Sequence, residues 1–104
     1  MENIKIDDTD FHSHLKSRML QRGVTKEEVE KTIKDGWKAE DAKTGTEGKV
    51  FVFPYNGEWE GKYFAEKEVT VYYKIVKGKI LPLTVKSRYG GKFLKGGVGS
   101  EDRI

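Results

Sequence analysis

Only two histidines occur in the 104-residue chain, His12 and His14, and both open a helical pattern. At about 100° per residue, His14, Arg18 and Arg22 fall on one rank about 80° wide, bordering the apolar stripe of Phe11, Leu15 and Met19. Three basic groups in one rank repel one another. An anion held among them would relieve the repulsion. A solvated border, with long side chains snorkelling out of the core, accounts for the same spacing. Both readings stand on spacing alone. A histidine at either position could move a proton as base or acid.

A second basic group ends the apolar part of the chain. Thr84, Lys86 and Arg88 alternate, so a strand running through them puts a hydroxyl, an ammonium and a guanidinium on one face. Successive members lie about 7 Å apart, the two-residue repeat of a strand, which suits a phosphodiester and its neighbours. The competing reading is an edge strand protected by Lys. Ser87 and Tyr89 belong to the same run. Tyr72 and Tyr73 must face opposite sides of their strand, one towards the core and one free. A ring beside cations can stack on a base, although a strand tyrosine is more often packing.

Other chemistries find no support. With no cysteine, the chain offers no disulfide, zinc ribbon, iron–sulfur ligand or thiol nucleophile. Asp7, Asp8, Asp10, His12 and His14 match no metal-ligand spacing, and acids there also serve as helix caps. Gly90-Gly91 and Gly96-Gly97 do not join a strand to a helix, so no phosphate loop is read. No metal and no cofactor are expected. His, Lys, Arg, Tyr and Thr suffice to cleave RNA through its own 2′-hydroxyl. A base takes that proton, cations stabilise the crowded phosphorane, and an acid protonates the leaving 5′-oxygen.

These groups need elements to hold them. Helix 1 carries the stripe above, with Thr9 or Asp10 as the expected N-cap and Gly23 as its left-handed stop. Thr25-Lys26-Glu27-Glu28 is a capping box, flanked by Val24 and Val29 as a hydrophobic staple. Helix 2 runs on through Ile33 to Gly36. Residues 38–49 read as a loop, Val50–Phe53 as a strand stopped by Pro54, and Asn56-Gly57 as a turn. Tyr63-Phe64 opens a short strand, Val69–Val76 is the clearest strand, and Lys77-Gly78-Lys79 turns back into Ile80–Val85. Pro82 marks an edge or a bulge. Residues 90–104 read as a flexible tail. The fold class expected is α+β, with two N-terminal helices packed on a four- to five-stranded antiparallel sheet, all within one domain spanning residues 1–104.

Composition sets the frame. Twenty Lys+Arg against seventeen Asp+Glu give a net charge of +3, a mild hint of a polyanionic partner. No apolar run approaches the roughly 20 residues of a membrane-spanning helix, so no membrane role is expected. The N-terminal residues show no basic stretch leading into an apolar core, so no signal peptide is read.

The run His14-Leu15-Lys16-Ser17-Arg18-Met19-Leu20-Gln21-Arg22-Gly23-Val24-Thr25-Lys26-Glu27-Glu28-Val29 resembles the start of small toxin ribonucleases of the barnase–EndoU–colicin–RelE group. Among these it is similar to tRNA-cleaving colicin nucleases and to C-terminal toxin domains of contact-dependent inhibition and other polymorphic toxin systems. A family of small bacterial domains shares the pattern R-M-x-x-R-G-V/I-[ST]-x-E-E-V. The likeness covers about a quarter of the chain well, and the remainder agrees in element order. It implies a metal-independent RNA endonuclease, a toxin acting on tRNA in the bacterial cytoplasm, secreted or delivered as part of a larger effector. An acidic immunity protein or antitoxin would be its partner. Arg22 matches the family's catalytic Arg, whereas His14 stands where the colicin pattern has Lys. A further family Lys corresponds to Lys43. The sheet residues implied are Thr84, Lys86, Arg88 and Tyr73.

The catalytic set expected is therefore His14, Arg22, Lys86, Thr84 and Tyr73, with Arg18, Arg88, Lys43 and Tyr89 holding substrate. The alternative is a module that binds RNA or protein without cleaving. The nuclease reading requires the rank on helix 1 and the row on the last strand to meet in one cleft.

Overall fold

The computed structural model describes Ile6 and residues 11–95. Two ten-residue helices, α1 (Ser13–Arg22) and α2 (Lys26–Asp35), precede four strands, β1 (Trp37–Lys38), β2 (Glu47–Trp59), β3 (Lys62–Val76) and β4 (Lys79–Gly90). The strands form one antiparallel sheet in the order β1-β2-β3-β4, each paired with its sequence neighbour. The fold is α+β, with four strands.

The helix ends follow local chemistry. Thr25 accepts the amide of Glu28 at 3.1 Å, and Glu28 accepts the amide of Thr25 at 3.0 Å, closing the capping box. Val24 and Val29 on either side are both buried. Gly23 ends α1 at φ 70°, and its amide bonds the Leu20 carbonyl at 3.3 Å. A side chain there would suffer the left-handed strain and also strike the Trp59 ring, 2.5 Å from an added Cβ. The start of α1 differs from expectation. His12 is the N-cap, its Nδ1 accepting the Leu15 amide at 3.3 Å as a Ser or Asp oxygen would. Thr9 and Asp10 lie outside the described residues, and Phe11 precedes the helix while still buried.

The strands are longer than the sequence suggested. β2 begins at Glu47 and runs through Pro54 and Asn56-Gly57 to Trp59. Pro54 pairs with Glu66 of β3, but the pairings of β1 reach only Lys49 and Val50, so on its outer side β2 has no partner at Pro54 that would need an amide. Asn56, at φ 47°, takes up a register shift between Pro54 and Gly57 as a bulge, not a turn. The chain turns instead at Glu60-Gly61, and again at Lys77-Gly78, where both central φ values are positive as a type I′ hairpin requires. Tyr63-Phe64 belongs to the 15-residue β3. Pro82 lies in the outer strand β4, opposite Tyr73, where the register shifts between Tyr72 and Tyr73. β4 extends to Gly90, and the start of the expected tail is anchored: the Phe93 amide bonds Glu66 at 2.9 Å and Lys95 pairs with it at 2.6 Å. Residues 96–104 lie outside the described residues.

Parity along the strands divides the sheet. Lys67, Val69, Val71 and Tyr73 of β3 and Val85 of β4 are buried on the face that carries the helices. There α1 packs on β4 and α2 crosses β2 and β3. Leu15, Val29 and Ile33 complete the core from the helix side. The other face presents Glu68, Thr70 and Tyr72, paired in register with Arg88, Lys86 and Thr84. Among the described residues, no helix is long and apolar enough to cross a membrane.

Candidate functional site

The open face of the sheet carries a groove of about 830 Å³. Its lining includes Lys86 and Arg88 from β4, Glu68, Thr70 and Tyr72 from β3, Val50 from β2, and Trp37 to Asp41 from β1 and the following loop. Arg22 also lines it. The backbone of Arg22 lies on the helix face, where its carbonyl accepts the hydroxyls of Ser87 at 2.9 Å and Tyr89 at 2.6 Å. Ser87 lines the groove as well, so the groove extends to the outer edge of β4 where α1 ends.

The groove's charges are mostly matched. Arg88 grips Glu68 through two nitrogens, at 2.7 and 3.1 Å, across the β3–β4 pair. Lys86 bonds one oxygen of Asp41 at 3.1 Å, while the Tyr72 hydroxyl donates to the other at 2.8 Å. Lys86 also sits over the Tyr72 ring, 5.4 Å from its centre. Hydrogen bonding to Tyr72 and then to Asp41 raises the Lys86 pKa above its ordinary value. The bonds from Tyr72 and Lys86 hold the Asp41 carboxyl below the usual carboxylate range, and burial raises the Tyr72 phenol. At neutral pH Lys86 is thus an ammonium, Asp41 a carboxylate and Tyr72 a neutral donor. Lys86 acts there as a fixed positive charge, not as a base.

Arg22 differs in that its Nε is buried and has no hydrogen-bond partner among the described residues. An unpaired buried donor is costly, so a native structure that keeps one calls for an explanation. The groove it borders offers a place for an acceptor.

The structure splits the rank expected on helix 1. Arg22 joins Lys86 and Arg88 at the groove, whereas exposed His14 and half-buried Arg18 are not among the groove residues. His12 is used structurally. With Nδ1 accepting the Leu15 amide, its proton lies on Nε2, which donates to the Pro82 carbonyl at 3.3 Å and ties α1 to β4. The His14 ring lies parallel to it, 6.2 Å away. Thr84 shares the open face, opposite Tyr72, but lies outside the groove lining. Tyr73 is in the core, 5% exposed, so it cannot present a ring to a base. Tyr72 is the free member of that pair. Lys43 lines a separate loop pocket of about 300 Å³. Tyr89 faces the helices and stacks on Trp59 at 4.7 Å, away from the open face.

Sequence reasoning missed Asp41, Glu68, Trp37 and Lys38 as groove residues. The alternation of Glu68, Thr70 and Tyr72 with Val69, Val71 and Tyr73 was the signal that could have placed Tyr72 and Glu68 there. Among the described residues, no group of three or more His, Asp or Glu side chains is placed to hold a metal ion.

Burial pushes the Tyr89 phenol up to about 12. Its folded value thus exceeds its unfolded value near 10, so its contribution to stability is full below pH 10 and is lost as pH rises through about 12. Melting temperatures taken between pH 9 and 12 are expected to fall more steeply for the native chain than for Tyr89→Phe. Parallel curves would show that Tyr89 does not govern this window.

Comparison with protein-family models, curated proteins and solved structures finds no match for this chain. What fold and site define together is a small α+β protein with a cation-edged groove on the open face of its sheet.

Proposed function

We propose that the chain is a metal-independent RNA endonuclease of the toxin type, with the RNA backbone lying along the open face of the sheet. The observation that carries this reading is the buried, unpartnered Nε of Arg22 at a groove shared with Lys86 and Arg88. An RNA phosphate would supply the missing acceptor and a charge for all three cations. In the reaction, a base takes the proton of a 2′-hydroxyl and that oxygen attacks phosphorus. The bond to the 5′-oxygen breaks, and an acid returns a proton to the leaving group. The products are a 2′,3′-cyclic phosphate and a 5′-hydroxyl. Arg22, Lys86 and Arg88 would stabilise the charge that develops on phosphorus. His14, exposed on α1, is the proton carrier in this reading and would have to reach substrate protruding past the edge of β4. With this reading go tRNA as substrate, action in the bacterial cytoplasm after secretion or delivery in a larger effector, and an acidic immunity protein or antitoxin as partner.

A specific observation favours a second reading, a module that binds RNA without cutting it. Neither histidine is a groove residue, and Lys86 and Tyr72 both hold their protons. Incubation with total tRNA in EDTA separates the two. The nuclease is expected to release fragments ending in cyclic phosphate and to lose most of its rate in His14→Ala. Salt-sensitive binding with no cleavage at stoichiometric protein would establish the binder. Full activity in His14→Ala would remove that residue from the mechanism.

A further inference from the structure

The loop between β1 and β2 lies back over the open face. Its Ala39 amide bonds the Gly48 carbonyl at 2.9 Å, and a Cβ added at Gly48 would come within 2.9 Å of Ala39, 3.3 Å of Ala42 and 3.2 Å of the Tyr72 ring. The bare backbone at Gly48 is what lets the loop settle there. So seated, the loop places Asp41 where two donors from neighbouring strands converge, the Tyr72 hydroxyl at 2.8 Å on one oxygen and the Lys86 ammonium at 3.1 Å on the other.

We infer that Tyr72 and Lys86 form a subsite for one phosphate group, and that the carboxylate of Asp41 fills it in the free chain, so that a phosphate enters by displacing the loop. The inference rests on the proposed reading of the groove and adds how that groove is controlled. A carboxylate and a phosphodiester each present two anionic oxygens on one centre, so donors set for the first also fit the second. The incumbent is held loosely. The Lys86 and Asp41 side chains are 52% and 62% exposed, and an ion pair so open to water contributes little. Asp41 can swing into solvent without uncovering the core. A phosphodiester brings the same single charge and meets Arg22 and Arg88 at the same groove as well.

Inorganic phosphate is the probe, followed by amide chemical shifts of the full chain during titration. Asp41→Asn is expected to bind phosphate about fivefold more tightly than the native chain, because the competing charge is gone. Adding Tyr72→Phe is expected to cancel most of that gain. Glu27→Gln, which removes an exposed charge on α2, is expected to leave phosphate affinity within about twofold, a remote charge being screened. The inference is overturned if Asp41→Asn binds phosphate no better, if Glu27→Gln gains as much, or if the gain survives without Tyr72. A tRNA cleavage assay on the same proteins keeps the two ideas apart. Tighter phosphate binding without cleavage leaves the subsite standing and removes the nuclease. Cleavage without the tightening does the reverse.

Discussion

On the proposed nuclease reading, Arg22→Met is expected to lower RNA cleavage at least a hundredfold while leaving the protein as stable as before, or more stable by about 1 kcal/mol. The two halves have separate causes. Loss of one preorganised cation from a site that stabilises a phosphorane costs about 2.7 kcal/mol or more of barrier, which is a factor of a hundred. The bonds that fix the end of α1 to β4 run from Ser87 and Tyr89 to the backbone carbonyl of Arg22, so they survive the substitution. What disappears is a buried Nε with no partner among the described residues. Thioether and methylene groups fill similar space without an unmet donor. Single-turnover cleavage and a thermal melt on one preparation give both numbers. Wild-type cleavage would show that Arg22 does not touch the phosphate, and a fall in melting temperature would show that its side chain holds the fold instead.

Lys67→Ala is expected to destabilise the chain by about 3 kcal/mol, lowering the melting temperature by roughly 12–24 °C. Lys67 is 3% exposed, although it extends from the helix-facing side of β3 among apolar neighbours. Its ammonium bonds the Gly23 carbonyl and the Glu28 carboxylate, the latter at 2.7 Å, and lies 5.7 Å from the ring centres of both Tyr55 and Tyr89. One side chain thus joins the stop of α1, the capping box of α2 and the aromatic cluster at the sheet's end. Truncation leaves Glu28 without its cation and opens a void between the rings. Lys67→Met keeps the stem and is expected to cost about half as much, since Glu28 is partly solvated and still caps Thr25. Equal losses in the two variants would mean that packing is secondary to charge at this position.

The helical third was legible because its signals are local. Thr25, Glu28 and Gly23 each complete a hydrogen-bonding pattern within four residues of themselves, so their role follows from spacing. The sheet was read as too broken. Pro54 and Asn56-Gly57 are breakers in local terms, yet a strand that lacks an outer partner tolerates a proline, and a bulge absorbs the positive φ of Asn56. The basic row of β4 was legible from alternation alone. Its meeting with helix 1 was not, because a helical wheel places three residues on one rank without saying where the sheet's edge will fall. Only Arg22, at the last turn, stands where it can pass that edge. Asp41 was hidden for a different reason. Its position depends on Gly48, a residue seven places on whose lack of a side chain admits the loop. Lys67 carried no local signal, since burial of a lysine depends on partners 39 and 44 residues away.

The strand order has a consequence for how the chain comes to be native. Every strand pairs with the one before it, and the two hairpins between β2, β3 and β4 close over two residues each. Pairing can then zip outward from each bend, with little loop entropy to overcome before contacts form. A polypeptide of this kind is expected to regain its shape quickly after being drawn out as a thread.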